Sequence, residues 1–158
     1  MITIGIDPGL TGALGFLRDG VFLAVEDMPT VTKGTGSVKN EVSPAGLKQL
    51  IQKHVAQGES VCVVLERVNA MPGQGVSSVF SLGDSFGCAR SVVAALNLEM
   101  VYVAPVTWKK HFKLTSDKEL SRAMATMRFP TAPLHLKKHS DRAEALLMSM
   151  WLHDTRFK

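Results

Sequence analysis

The sequence predicts an α/β fold in which a mixed five-stranded sheet is flanked by helices. Three observations carry that expectation. Apolar runs succeed one another at the N-terminus, and Asp19-Gly20 separates two of them, a strong short hairpin signal. The run SVCVVLERV at 60–68 is too continuously apolar for a half-exposed strand and reads as a central one covered on both faces. After residue 43, helical and strand periodicities alternate.

Taken in order, ITIGID is short and β-branched, and it stops at the turn residues DPGLTG. ALGFLRDGVFLAVEDM then folds back on itself, giving three sequential antiparallel strands. Residues 30–42, TVTKGTGSVKNEV, are polar and Gly-rich and are expected to form a mobile surface loop. Ser43-Pro44 places an N-cap residue before a proline suited to the first helical position. Leu47, Leu50, Ile51, His54 and Val55 recur at helical spacing, so one amphipathic helix is expected to run to about Gly58. NAMPGQGVSS at 69–78 is a loop, and the helical pattern resumes from Val79 to Leu98 with Gly83 and Gly87 inside it, which points to close packing or a ligand backbone. EMVYVAP is the fifth strand and leads into VTWKKHF. Ser116 stands three residues before Glu119, a capping-box spacing that starts another helix. FPTAPLHLKKH connects it to a last helix, SDRAEALLMSMWLH. No repeat or linker divides the chain, so residues 1–158 are expected to form one domain with one active site.

Cys62 and Cys88 make no metal-type spacing, and two buried reduced thiols are expected. With no apolar run of membrane-spanning length and an early turn at the N-terminus, a soluble cytoplasmic protein is expected. The net charge of +4 is unevenly placed: residues 1–104 balance to −2 and residues 105–158 to +6, with His111, His135, His139 and His153 also in the basic third. A basic segment suits a polyanionic partner, although an ordinary solvated surface explains the charge equally well.

Four carboxylates stand out. Asp7 ends the first strand and Glu66 ends the apolar part of the central one, both at the edge of a dry core where a carboxylate needs a partner and a divalent cation is an effective one. Asp141 and Glu144 are three residues apart near the start of the last helix and so share a face. Each has a plainer explanation: a turn-forming Asp before Pro-Gly, an ion pair, or acids at the positive end of a helix dipole. Together they are the right inventory for two Mg²⁺ ions.

GIDPGLTGALG at 5–15, LERV at 65–68, SLGDSFG at 81–87 and SDRAEALL at 140–147 resemble, in order and spacing, the RuvC-type Holliday junction resolvases of the RNase H-like superfamily, especially their short phage-encoded members. The resemblance spans nearly the whole chain. It implies a homodimeric crossover junction endonuclease of DNA recombination and repair in a bacterial or phage-infected cell. Such an enzyme binds Mg²⁺ or Mn²⁺ and nicks branched DNA to leave 5′-phosphate and 3′-hydroxyl ends. By motif, Asp7 would bridge both metals, Glu66 would hold one and Asp141 would complete the set. Glu144 stands where the family usually has Asp, and its longer reach leaves direct or water-mediated ligation open.

Lys109 and Lys118 match lysines that the family places near the DNA backbone, whereas Lys110 and Lys113 read as solvated surface residues. Trp108 and Trp151 read as core or dimer-contact aromatics. After Glu66, many RuvC proteins carry an aromatic wedge where this chain has Asn69. The mobile Asn69–Ser78 loop would then enter the junction through Asn69, Met71 or Gln74. Three alternatives stay open: an RNase H-fold nuclease acting on flaps, forks or RNA, a non-catalytic binder of branched DNA, and a phosphate-transferring kinase. The last would need a second Gly-rich loop and a second domain, and neither is found.

Overall fold

The computed structural model describes residues 1–35 and 39–158. Its main sheet has the strand order β3-β2-β1-β6-β7, built from β1 (Ile2–Asp7), β2 (Ala13–Arg18), β3 (Val21–Asp27), β6 (Val61–Glu66) and β7 (Glu99–Val103). β1, β2 and β3 are antiparallel neighbours, while β6 and β7 extend the sheet in parallel from β1. The predicted five-stranded mixed sheet is therefore the one observed.

Alternation along the strands divides the core. Ile2, Ile4 and Ile6 of β1 pack with Val61, Val63 and Leu65 of β6 under α1 (Pro44–His54) and α2 (Val76–Ala95). Cys62 and Val64 point the other way, where α3 (Pro105–His111), α4 (Lys118–Arg128) and α5 (Ser140–Arg156) cover the sheet. Period-two side-chain direction therefore sends Asp7 and Glu66 towards α5. α5 lies against β1 and β2 because Gly5 and Gly15, register partners across those strands, carry no side chain. A Cβ on Gly5 would meet the Ala145 carbonyl oxygen at 2.1 Å, and one on Gly15 the Leu146 nitrogen at 2.6 Å. The Thr3 and Ser149 hydroxyls, 2.9 Å apart, pin the same helix further along.

Five local expectations are corrected. The ends of the supposed loop 30–42 pair as β4 (Thr30–Thr32) and β5 (Asn40–Val42), and residues 36–38 of that loop lie outside the described residues. α1 stops at His54, with Val55 extended, and Gly58 makes a separate turn at φ +86°. α2 begins at Val76 rather than Val79 and ends at Ala95 rather than Leu98. Its first turn faces solvent, with Val76 86% exposed, so it carried no apolar periodicity; at the other end Asn97 adopts φ +54°. The N-cap of α4 is Asp117, whose Oδ1 accepts from the Glu119 backbone N–H at 2.9 Å, in place of Ser116. Both cysteines are free, but only Cys62 is fully buried. Among the described residues, no helix is long and apolar enough to cross a membrane.

Candidate active site

The C-terminal ends of β1 and β6 lie side by side, since Ile6 pairs with Leu65 and Asp7 and Glu66 follow next. The seating of α5 on the glycine pair brings its first turns over the same spot. Asp7, Asp141 and Glu144 each offer a carboxylate oxygen, and these oxygens lie within 4.8 Å of one another. Oxygen ligands on opposite sides of an octahedral ion are about 4.2 Å apart, so the triad is the right size to close on one hard cation. Glu66 stands outside this triad. Its Oε1 accepts a hydrogen bond from the Trp108 indole N–H at 2.8 Å, and Trp108 is fully buried.

The lysines singled out in the sequence reach into the cluster. Lys109 Nζ pairs with Glu144 Oε1 at 2.9 Å, and Lys118 Nζ pairs with Asp141 Oδ1 at 2.5 Å. Ser121 donates to Glu144 Oε1 at 3.3 Å. Asp7 receives neither a hydrogen bond nor an ion pair at its carboxylate from the described side chains. Burial, reinforced by Glu66, Asp141 and Glu144, holds its carboxyl well above the ordinary value. Burial also pushes Glu66 up, against the lowering effect of the Trp108 hydrogen bond, and Glu144 adds to the rise. Burial opposes the Lys118 ammonium, yet the Asp141 hydrogen bond and the nearby acids keep it above its usual value.

This donor set is all oxygen, which suits Mg²⁺ or Mn²⁺ rather than a soft metal. The uncompensated carboxyl of Asp7 is where positive charge is missing. The residues therefore fit a divalent ion, with Asp7, Asp141 and Glu144 as its nearest ligands.

Around the cluster lies an open cleft of about 400 Å³, walled by the Pro8–Gly12 turn on one side and by Ser78, Ser81 and Ser85 of α2 on the other, with Gln74, Lys118 and Asp141 also lining it. Of the three loop residues expected near DNA, only Gln74 lines this cleft, and its Oε1 also accepts from the Met71 N–H at 2.7 Å. Met71 points outward at 62% exposure. Asn69 lines a separate depression with Arg67 and Arg90. Lys110 and Lys113 are exposed, as expected, and Trp151 packs against the α5-side core.

Trp108 and Ser121 were missed as partners of the site acids. A buried indole N–H requires an acceptor, so Trp108 beside Lys109 was a usable signal, although the sequence does not say which acceptor it finds. Ser121 gives no local signal at all.

No protein-family model and no curated protein matches the chain. Solved structures do. RuvC of T. thermophilus in complex with a Holliday junction substrate superposes with a TM-score of 0.66 at 17% identity, over 99% of this chain and 97% of that one. Another Thermus thermophilus RuvC structure gives a TM-score of 0.57 at 16% identity, over 98% and 96%. The chain thus has the RuvC, RNase H-like fold over its whole length.

Proposed function

We propose that this protein is a metal-dependent, structure-selective endonuclease that resolves four-way and related branched DNA, acting as a homodimer of single-domain subunits. The observation that carries the reading is the meeting of Asp7, Asp141 and Glu144 within 4.8 Å at the end of β1, with Glu66 beside them, on a fold shared with a junction-bound RuvC.

In this reading Asp7, Asp141 and Glu144 would hold Mg²⁺ or Mn²⁺, and Glu66 would hold a second ion while its Oε1 accepts from Trp108. Bound metal would lower the pKa of water and stabilise the departing oxygen of the phosphodiester. The chain's own groups do the rest. Trp108 fixes the orientation of Glu66, as outer-shell hydrogen bonds to metal-binding carboxylates do. Lys109 and Lys118 pair with Glu144 and Asp141, and Lys118, which lines the cleft, lies where an entering phosphate would be neutralised. Ser78, Ser81 and Gln74 give the opposite wall neutral polar groups that receive a phosphodiester without repelling it.

A second reading, broader action on flaps and forks, draws support from the β6–α2 loop, which exposes Met71 and carries no aromatic residue between Asn69 and Gly75. One assay separates them: cleavage of a labelled four-way junction beside matched duplex, flap and single strand, with Mg²⁺ and with chelator. Paired nicks in opposing arms, only with metal and much faster on the junction, are expected. Comparable cutting of flaps or duplex would keep the active site and discard the substrate, and binding without cleavage in either Mg²⁺ or Mn²⁺ would leave a non-catalytic binder.

A further inference from the structure

Just beyond Glu66 the chain builds a cationic depression that none of the roles above uses. It measures about 320 Å³ and is lined by Arg67, Val68, Asn69, Phe86, Arg90 and Tyr102. Arg67 Cζ lies 5.4 Å from the Tyr102 ring centroid, and Arg90 Cζ lies 6.0 Å from that of Phe86. The two rings are themselves 6.0 Å apart, so two guanidinium groups from different elements converge over a shared aromatic floor. No carboxylate lines the depression, and among the described residues neither arginine forms an ion pair.

Among the other arginines, Arg18, Arg122, Arg142 and Arg156 each meet a carboxylate, while Arg128 lies over the Phe112 ring, 5.1 Å from its centroid. A guanidinium resting on a ring keeps its N–H edges free to donate in its own plane, and it has already given up much of its rotamer freedom. Such a pair is prepared for an anion that accepts two hydrogen bonds at once, and a phosphate does so. Because a guanidinium already lies over each ring, the site is better arranged for a backbone phosphate than for an unstacked base. Asn69 adds a neutral amide at the rim.

Its position relates it to the acid cluster. The Arg67 N–H donates to the Val103 carbonyl at 2.8 Å, which continues the β6–β7 ladder one residue past Glu66. Consecutive strand residues face opposite ways. Glu66 turns to Trp108 while Arg67 turns to the α2 side, so one rigid strand end presents a carboxylate to one side and a cation to the other.

We infer that the Arg67–Arg90 depression binds a backbone phosphate of a DNA arm whose cleaved phosphate sits at Asp7, Asp141 and Glu144; this rests on the nuclease reading above. The test is fluorescence anisotropy of a labelled four-way junction in chelator, across a salt series, with wild type and the Arg67→Ala/Arg90→Ala double variant. Both side chains are exposed, so the fold should tolerate their truncation, which a melting curve checks.

The double variant is expected to bind about tenfold more weakly, and its plot of log affinity against log salt to flatten by about 0.9, the value for one lost duplex phosphate contact. Cleavage at saturating junction stays within about twofold of wild type, because the acid cluster is untouched. Arg67→Lys/Arg90→Lys restores much of the salt slope. An unaltered slope in the alanine variant, with wild type binding normally, overturns this inference alone. So does a change in sedimentation behaviour, which would make the depression a contact between copies. A wild type that neither binds nor cuts junctions overturns both readings.

Discussion

Asp7 and Asp27 occupy one row of the sheet, on either side of Ala13, and their carboxyls are displaced in opposite directions. Both end a strand, and both are approached by α5. Asp27 meets Arg142 through two hydrogen bonds, at 2.6 and 2.7 Å, and that pairing holds its carboxyl below the ordinary value. Asp7 meets Asp141, the residue just before Arg142, along with Glu144 and Glu66, and it is held well above. One turn of one helix thus delivers a cation to the first aspartate and further acids to the second. The difference shows that strand-end placement does not by itself set a carboxylate's surroundings: Arg142 compensates Asp27, whereas burial and further acids surround Asp7.

The largest effect should come from Asp7→Asn. It is expected to lower single-turnover junction cleavage about a thousandfold or more, about 4 kcal/mol of activation free energy, while junction affinity in chelator is retained. Cutting at the wild-type rate would remove Asp7 from the metal site. Trp108→Phe keeps most of the ring and deletes the hydrogen bond to Glu66. Cleavage should fall about 10- to 100-fold, with a higher Mg²⁺ concentration at half-maximal rate; a magnesium titration identical to wild type would make that bond incidental.

The same contrast governs stability. Mn²⁺ or Mg²⁺ should raise the melting temperature of the wild type, by the equivalent of about 2.7 kcal/mol at a hundredfold excess over its dissociation constant, and should do so far less in Asp7→Asn. In chelator the sign reverses with pH. Because Asp7 and Glu66 have raised values in the folded protein, the native state keeps protons that the unfolded chain has released. Metal-free stability should therefore fall as pH climbs from the ordinary carboxylate range through those raised values. Melting curves between acid and neutral pH should show this loss in wild type and a smaller one in Asp7→Asn; parallel profiles would contradict the burial of an uncompensated acid.

The smallest effect belongs to the other aspartate. Asp27→Asn should cost at most about 1 kcal/mol, since the Asp27 carboxylate is exposed and the pair is screened there, and should leave cleavage unchanged. Its contribution is present above the ordinary carboxylate range and is lost as pH falls through its depressed value. A cleavage defect comparable to that of Asp7→Asn would break the comparison.

Much of this was legible in the residues themselves. Asp19-Gly20, the continuous apolar run before Glu66 and the spacing of Asp141 and Glu144 are local patterns, and each produced the strand, hairpin or helix face it predicted. Failures came where a local signal was weak or doubled. The exposed first turn of α2 has no apolar stripe, Ser116 and Asp117 compete for one cap, and a polar glycine-rich segment does not reveal that its ends pair as β4 and β5. Among the site groups, four acids and two lysines could be nominated from the sequence, but not who touches whom. That Asn69 parts from Gln74 to lie beside Arg90 depends on how the β6–α2 connection turns.

The sequence by itself determined the order and kind of the elements and the identity of the acids, because hydrophobic periodicity and turn chemistry act over a few residues. Only the tertiary structure decided which acids are neutralised and which are left wanting a cation. That choice depends on α5 descending onto Gly5 and Gly15, which brings residues more than 130 positions apart within reach of a single ion.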